Sequence, residues 1–343
     1  MPRTVRRLAG LLVLAAVVEY LVLPQVAGAR QSAHLLAHAN VGLVLVAAGL
    51  EVASLLAYAG LTESLLPPHR VGYGRINRIN LATLAVSHVV PAGAAAGGTL
   101  GYRMLTASGV EGPEAALALA LQGIGSAVVL NVVLWLSLIG SIPLYGFNPL
   151  YVTAAILGVL LLGFVGAIAA LMTRGEERAV AILRALARRI PRLNEDRIEG
   201  LFRRLALRLD ELSRDPGLLR RAIAWAAANW VLDAASLWVF LLAFGRAANP
   251  DGLLVAYGLA NVLAALPVTP GGLGVVEGVL VPALVGFGTP RGVAILGVLS
   301  WRLVNFWLPI PAGGISYLSL RLGDEPAVPG ARPAPPPPPA AAP

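Results

Sequence analysis

The sequence predicts an all-α, polytopic membrane protein with an inverted-topology repeat and two re-entrant, broken helical hairpins. Three observations predict it: an apolar composition, two apolar stretches interrupted by proline and glycine, and a lopsided distribution of arginine. Hydrophobic residues make up 57% of the 343 and charged residues 13%, with a mean hydropathy of +0.76. That balance suits several membrane spans rather than one soluble core. With no cysteine, disulfides and thiolate metal sites are excluded. All 26 basic residues are arginine, so chemistry that needs lysine is excluded as well. The net charge of +8 does not indicate a nucleic-acid partner, because the arginines flank apolar spans, where they act as topology signals.

The clearest interruption lies in 261–288. Pro267 and Pro270 each remove a backbone donor and crowd the preceding turn. Gly271 and Gly272 follow and permit backbone angles other residues avoid. Residues 252–288 as one helix would run about 55 Å, against a hydrocarbon core of about 30 Å. Broken at 267–272, they give two legs of about 22–24 Å. Non-helical backbone at that depth must be buried in protein or line a wet cavity.

In chain order, Arg3, Arg6 and Arg7 precede an apolar helix over 8–27 that contains Glu19. It is read as a retained span, although Ala27-Gly28-Ala29 resembles a cleavage site. His34 and His38 stand four residues apart, a spacing able to chelate metal; with no acidic or thiol neighbour they read as a solvated interfacial pair. A span over 41–62 carries Glu51, and a basic loop with Arg70, Arg75 and Arg78 follows. Residues 79–103 are apolar but broken by Pro91 and Gly93. Spans are expected over 115–142 and 150–172. Residues 174–217 hold eleven Arg and eight acidic residues with apolar residues at helical spacing, which reads as two amphipathic helices split near Pro191. Then come a span over 218–246, the hairpin over 252–289, and a last span over 292–320. The domain reading follows. Residues 1–173 hold the first repeat and the first span of the second. Residues 174–217 are a cytoplasmic amphipathic insert, 218–322 complete the second repeat, and 323–343 are a disordered Pro/Ala-rich tail.

A constant offset of 179 residues lays Pro91 on Pro270, Gly93 on Gly272 and Gly109 on Gly288. It also lays the span at 41–62 on 220–241. This suggests an internal repeat. If the N-terminus, 62–79, 174–221 and the C-terminus face the cytoplasm, they hold 21 Arg. Arg30, Arg246 and Arg291 then lie outside, and Arg103 and Arg302 within spans. Counting crossings makes 79–107 enter and leave on the cytoplasmic face and 252–289 on the outer face. The two units are therefore inverted, with broken helices meeting near the midplane, as in transporters. Glycines at 93, 97 and 101, and at 274 and 278, give both second legs a face for close helix approach.

P-V-T-P-G-G-L-G-V-V-E at 267–277, Arg302 downstream and P-A-G-A-A-A-G-G-T-L-G-Y-R at 91–103 resemble the transmembrane region of lysylphosphatidylglycerol synthases. The resemblance runs over roughly 10–320. It implies a flippase-like protein that moves lipid between leaflets, with aminoacylated phosphatidylglycerol as one known cargo. No stretch resembles a soluble aminoacyl-transferase domain, so the match is to the stand-alone form. Other anionic or polyprenyl-phosphate-linked lipids are equally open as cargo.

Glu277 and Arg302 are expected at similar depth, because a turn near Thr289 and Pro290 puts each about a dozen residues from it. A lone charge there would cost at least about 2.5 kcal/mol, so pairing is favoured. The expected substrate-binding set is Arg302 and Glu277, with Thr269, Pro270, Gly271 and Gly272 at one tip. The other tip adds His88, Pro91 and Gly93, and Arg103 and Asn305 complete the set. No catalytic residue, metal or cofactor is expected. Neither metal-ligand cluster, nucleophile elbow nor phosphate loop is present, so the chain reads as a non-enzyme. The expected partner is a membrane lipid with a phosphate-bearing headgroup, joined by a second copy of the chain or a lipid-synthesis enzyme. The expected location is the cell membrane, with both termini cytoplasmic. Two alternatives stand beside the flippase. One is a proton- or ion-coupled small-solute transporter using Glu51, Asp233 and Glu277. The other is an accessory subunit of a lipid-modifying enzyme.

Overall fold

The computed structural model describes residues 39–66, 71–90, 93–145, 215–245, 249–264 and 269–323, with scattered positions between 152 and 163. Expectations for the N-terminal helix, His34 and His38, Pro91, the 174–217 insert and the tail beyond 323 lie outside the described residues, as does most of the 150–172 span. Among the described residues every regular element is a helix.

Helix α1 (Val41–Leu65) starts at Asn40, whose side-chain oxygen accepts the Leu43 N–H at 3.2 Å. That satisfies one of the donors a helix start leaves free. Helices α2 (Tyr73–Val89), α3 (Gly93–Ala107) and α4 (Gly112–Tyr145) follow. Helix α5 (Pro216–Ala243) is capped by Asp215 and opens on a proline, where the missing N–H costs nothing. Helix α6 (Pro250–Ala264) leads to a 3-10 turn at Pro270–Gly272 and then α7 (Val275–Gly286). Helix α8 (Arg291–Arg302) runs through a π turn (Leu303–Trp307) into α9 (Pro309–Gly323).

Among the described residues four helices are long and apolar enough to cross a membrane: Val41–Leu65, Gly112–Gly140, Pro216–Ala243 and Arg291–Leu322. The shortest has 25 residues, about 38 Å at 1.5 Å per residue. By contrast α2, α3, α6 and α7 have 17, 15, 15 and 12 residues. Each is about 18–26 Å long, short of the roughly 30 Å core. The burial pattern suits a lipid solvent. Val41, Leu45, Leu136, Ile139, Leu303 and Leu318 are exposed, whereas Glu51, Asn131, Asp233, Glu277 and Arg302 are buried. Polar groups that lipid cannot satisfy are turned inward.

Helices α1 and α5 pack antiparallel along most of their length. The register is fixed by polar contacts. The Asn40 N–H donates to the Ala243 carbonyl, Ser236 to the Ala47 carbonyl, and Ser54 to the Asn229 carbonyl. Each step forward on α1 is one step back on α5. Near the far end Gly60 lies under the Trp225 ring, closer than a Cβ would allow. This register places Glu51 opposite Asp233.

Helices α2 and α3 lie side by side. A Cβ on Gly93 would collide with the Ser87 carbonyl, and one on Gly97 with the Ser87 hydroxyl. The second pair closes differently. The small-residue face expected at Gly274 and Gly278 does not mediate close packing: a Cβ on Gly278 would meet nothing within 4 Å. Gly274 instead caps α7 at φ 81°. Helices α6 and α7 meet through Gly252 against Phe287 at one end and Gly272 against Ala264 at the other.

The π turn has a local cause. Pro309 and Pro311 supply no N–H, so the carbonyls of Asn305 and Trp307 lose their α-helical donors. The ladder shifts, and the Leu308 N–H reaches back five residues to Leu303 at 2.9 Å.

Candidate functional site

The two helix breaks and the π turn converge on one buried cluster. The 3-10 turn at Pro270–Gly272 holds Gly271 and Gly272 at φ 55° and 68°, in the left-handed region that favours glycine. Gly271 is exposed, and a Cβ there would collide with the Phe306 ring and touch His88. The tips of the two broken pairs therefore meet: His88, one residue before the end of α2, packs beside Gly271. The His88 ring stacks on Phe306 with centroids 4.3 Å apart and a 16° interplanar angle. Its Nδ1 lies 2.9 Å from the Phe306 carbonyl, which can only accept, so Nδ1 carries the proton and Nε2 is left as an acceptor.

Arg302 is the charge at the centre, and it is 3% exposed. Its Nε donates to Glu277 Oε1 at 2.6 Å, and its Nη2 donates to the Gly271 carbonyl at 3.3 Å. The guanidinium carbon lies 4.4 Å from the Phe306 ring centroid and 5.8 Å from that of Trp301. Such aromatic contacts suit an arginine that has left water. Glu277 Oε2 accepts the Gly274 N–H at 2.7 Å, so one carboxylate both starts α7 and holds Arg302. Of the five guanidinium N–H donors, two serve protein acceptors among the described residues. The remainder of the fork can meet an incoming oxygen. Thr269, at the same tip, has a buried hydroxyl oxygen with no partner among the described residues.

Behind Arg302 lies a second polar layer. Asp233 on α5 accepts three hydrogen bonds: from the Tyr257 hydroxyl at 2.6 Å, Trp301 Nε1 at 2.6 Å and Asn305 Nδ2 at 3.2 Å. The same Asn305 nitrogen donates to Glu51 Oε1 at 3.0 Å. Glu51 Oε2 is buried and has no hydrogen-bond partner among the described residues. Residues 301, 302, 305 and 306 share this side at the one-turn spacing of a helix, with the π turn (Leu303–Trp307) beginning just after Arg302.

The expected site residues fall into two groups. Arg302, Glu277, Thr269, Pro270, Gly271, Gly272, His88 and Asn305 gather at or beside the meeting point. Gly93 instead packs under Ser87 inside the first pair, and Pro91 lies outside the described residues. Arg103 stands apart, near the end of α3. There it lines a cavity of about 220 Å³ with Arg75, Arg321, Tyr317, Leu100 and Met104. Four further polar residues on the long helices and α6 are differently engaged. Asn229 bonds to Ser54, Gln122 to Thr62 and Asn261 to the Tyr257 carbonyl. Asn131 is buried with neither side-chain atom partnered among the described residues.

Phe306, Trp301 and Tyr257 also belong to the site, although they are not among the residues expected from the sequence. The L-P-I-P run at 308–311 was the available signal, since two prolines spaced so closely in a span force a ladder shift just ahead of them. Among the described residues no three His, Cys, Asp or Glu come together to hold a metal.

Residues 7–313 match the family described as the lysylphosphatidylglycerol synthase TM region. The chain belongs to this family. Its relatives include a UPF0104 membrane protein of Methanothermobacter thermautotrophicus (strain Delta H), 26% identical over 56% of this chain and 57% of the relative. A second UPF0104 membrane protein match from that organism is 25% identical over 41% of this chain and 43% of the relative. The inner membrane protein YbhN of Escherichia coli (strain K12) is 30% identical over 28% of this chain and 29% of the relative. The chain thus spans somewhat over half the length of the first curated relative it matches, and less of the others. The family match includes both broken pairs and Arg302, and within the family this chain is a membrane protein with several apolar helices.

Proposed function

We propose that this chain moves a lipid with a phosphate-bearing, anionic headgroup between membrane leaflets. The observation that carries the reading is Arg302, a buried guanidinium held by one carboxylate at the point where two helix breaks meet. A phosphate oxygen can replace Glu277 Oε1 on the fork, since arginine binds phosphate and carboxylate in the same bidentate geometry. Glu277 holds the cation when the site is empty. Half-helices that stop at the midplane are a recurring way to present backbone groups to an anionic substrate. The α7 start, with Gly271, Gly272 and the unpartnered Thr269 hydroxyl, is such an end.

The architecture we assign is two inverted units, each with a re-entrant hairpin. It is supported by the recurrence of helix limits at the 179-residue offset. On that offset α4 (Gly112–Tyr145) corresponds to 291–324, beside the observed α8 and α9. Helix α3 (Gly93–Ala107) corresponds to 272–286, beside α7. In this reading α2 and α3 enter from the cytoplasm, α6 and α7 from outside, and both termini are cytoplasmic. The three-arginine cavity at the base of α2 and α3 then sits at the cytoplasmic interface, where an anionic headgroup would first be held. The lysylphosphatidylglycerol synthase family gives the reading its cargo class, and the transport role needs no catalysis by this chain.

Reconstitution into liposomes with labelled lipids tests the reading. A labelled phosphatidylglycerol should cross between leaflets faster than in protein-free vesicles, and a labelled lipid without phosphate should not. Equal movement of both, or release of a water-soluble solute without lipid movement, would remove the phosphate-based mechanism.

A further inference from the structure

We propose that Glu51 and Asp233 form a proton-binding carboxyl pair, and that its proton enters together with the anionic headgroup taken by Arg302. The two carboxyls come from α1 and α5, which the antiparallel register sets face to face. Asn305 Nδ2 donates to an oxygen of each, at 3.0 and 3.2 Å, so those oxygens lie within about 6 Å of one another. Glu51 is 1% exposed and Asp233 5%. Two carboxylates this close and this dry do not both stay ionised; one proton is shared between them.

The donors around the pair say where that proton sits. Asp233 takes three hydrogen bonds, enough to satisfy an ionised carboxylate. Glu51 takes one on Oε1, and its Oε2 has none among the described residues. A proton on Oε2 converts that buried acceptor into a donor. A metal ion would not do the same. The Tyr257 hydroxyl, the Trp301 N–H and the Asn305 amide all aim hydrogens at the oxygens a cation would need. The vacant oxygen therefore fits a proton and not sodium.

The coupling follows from the other groups that face the pair. Tyr257 reaches it from α6 and Arg302 from α8, and through Arg302 come Glu277 of α7 and His88 of α2. The acidic residue of α4, Glu114, is in its first turn. With both carboxyls ionised, Arg302, Glu277, Glu51 and Asp233 sum to a charge of minus two, which opposes an anion. One proton brings the sum to minus one. Trp301 donates to Asp233 and precedes Arg302 in the chain, so one backbone step joins the two layers. By reciprocity, whatever helps the phosphate bind helps the proton bind. One proton with one monoanionic headgroup is electroneutral, so a pH gradient alone should drive the pair.

The coupling rests on the lipid-transport reading; the proton site does not, and two measurements separate them. The first is pH-difference infrared spectroscopy of the full chain in phosphatidylcholine vesicles. A protonated-carboxyl stretch should be present and should be lost in Glu51→Gln, with Asp233→Asn shifting it. Its absence from the unsubstituted protein at every pH, or its persistence in both variants, overturns the pair. The second is the leaflet distribution of labelled phosphatidylglycerol in vesicles under an imposed pH gradient. The lipid should collect on the alkaline side, by about tenfold per pH unit at one proton per headgroup. Lipid movement indifferent to the gradient overturns the coupling and leaves the transport reading standing. A titrating carboxyl with no lipid movement overturns the transport reading and leaves the proton site standing.

Discussion

Glu277 uses its two oxygens for different tasks, one for the Gly274 N–H and one for Arg302. Glu277→Gln keeps the size and one acceptor but removes the charge, so Arg302 is left buried beside a neutral amide. Removing one partner of a buried pair costs about 3–5 kcal/mol. The variant should melt lower in detergent than the unsubstituted protein. If phosphate competes with Glu277 for Arg302, the same variant should also reach half-maximal transport at a lower lipid fraction. An unchanged lipid dependence would mean that Glu277 only locks α7 to α8. The pairing itself was legible in the sequence, because a turn near 289–290 equates the depths of residues 277 and 302. The aromatic shelf was not. Phe306 stands one turn after Arg302, a spacing that periodicity allows, but nothing in the chain read in order says that the same ring meets His88 of another helix.

At the scale of the element, both breaks were legible because proline and glycine cannot hide within an apolar run. The helices end where those residues fall: α2 before Pro91, α6 before the Pro267–Gly272 region. What the sequence could not show is which glycines touch something. Gly97 and Gly278 look alike in the chain, yet Gly97 lies against Ser87 and Thr83 while Gly278 faces open space. Gly97→Leu and Gly272→Leu should therefore abolish transport with protein still expressed, and Gly278→Leu should leave transport near its normal rate. Overpacking costs about 1–3 kcal/mol, and a non-glycine residue at positive φ a similar amount. The π turn gives a separate test. Pro309→Ala with Pro311→Ala restores the two missing donors and should return the ladder to α-helical spacing. Cysteines replacing His88 and Phe306 should cross-link readily in the proline background and poorly in the alanine one. Equal cross-linking in both would mean the prolines do not set the turn.

For the whole molecule, composition and arginine placement made the all-helical membrane class legible before any contact was known. Long-range pairings were less so. The antiparallel seam of α1 and α5 depends on Ser54, Asn229, Ser236 and Asn40, which one chain read in order gives no reason to match. The inverted arrangement proposed above makes a sharp topological statement, and the absence of cysteine makes it simple to check with single substitutions. A cysteine at Gly72 should react with an impermeant reagent only from the cytoplasm, and one at Asn249 only from outside. Labelling of both from one side would end the inverted-repeat reading. Most direct for the central claim is the rate at which labelled phosphatidylglycerol crosses between leaflets in proteoliposomes carrying Arg302→Gln or Arg302→Lys. A phosphate-binding role for Arg302 puts the glutamine variant at the protein-free rate and the lysine variant between that and the unsubstituted chain, since lysine keeps the charge but loses the fork. Full-rate transport by Arg302→Gln would contradict it.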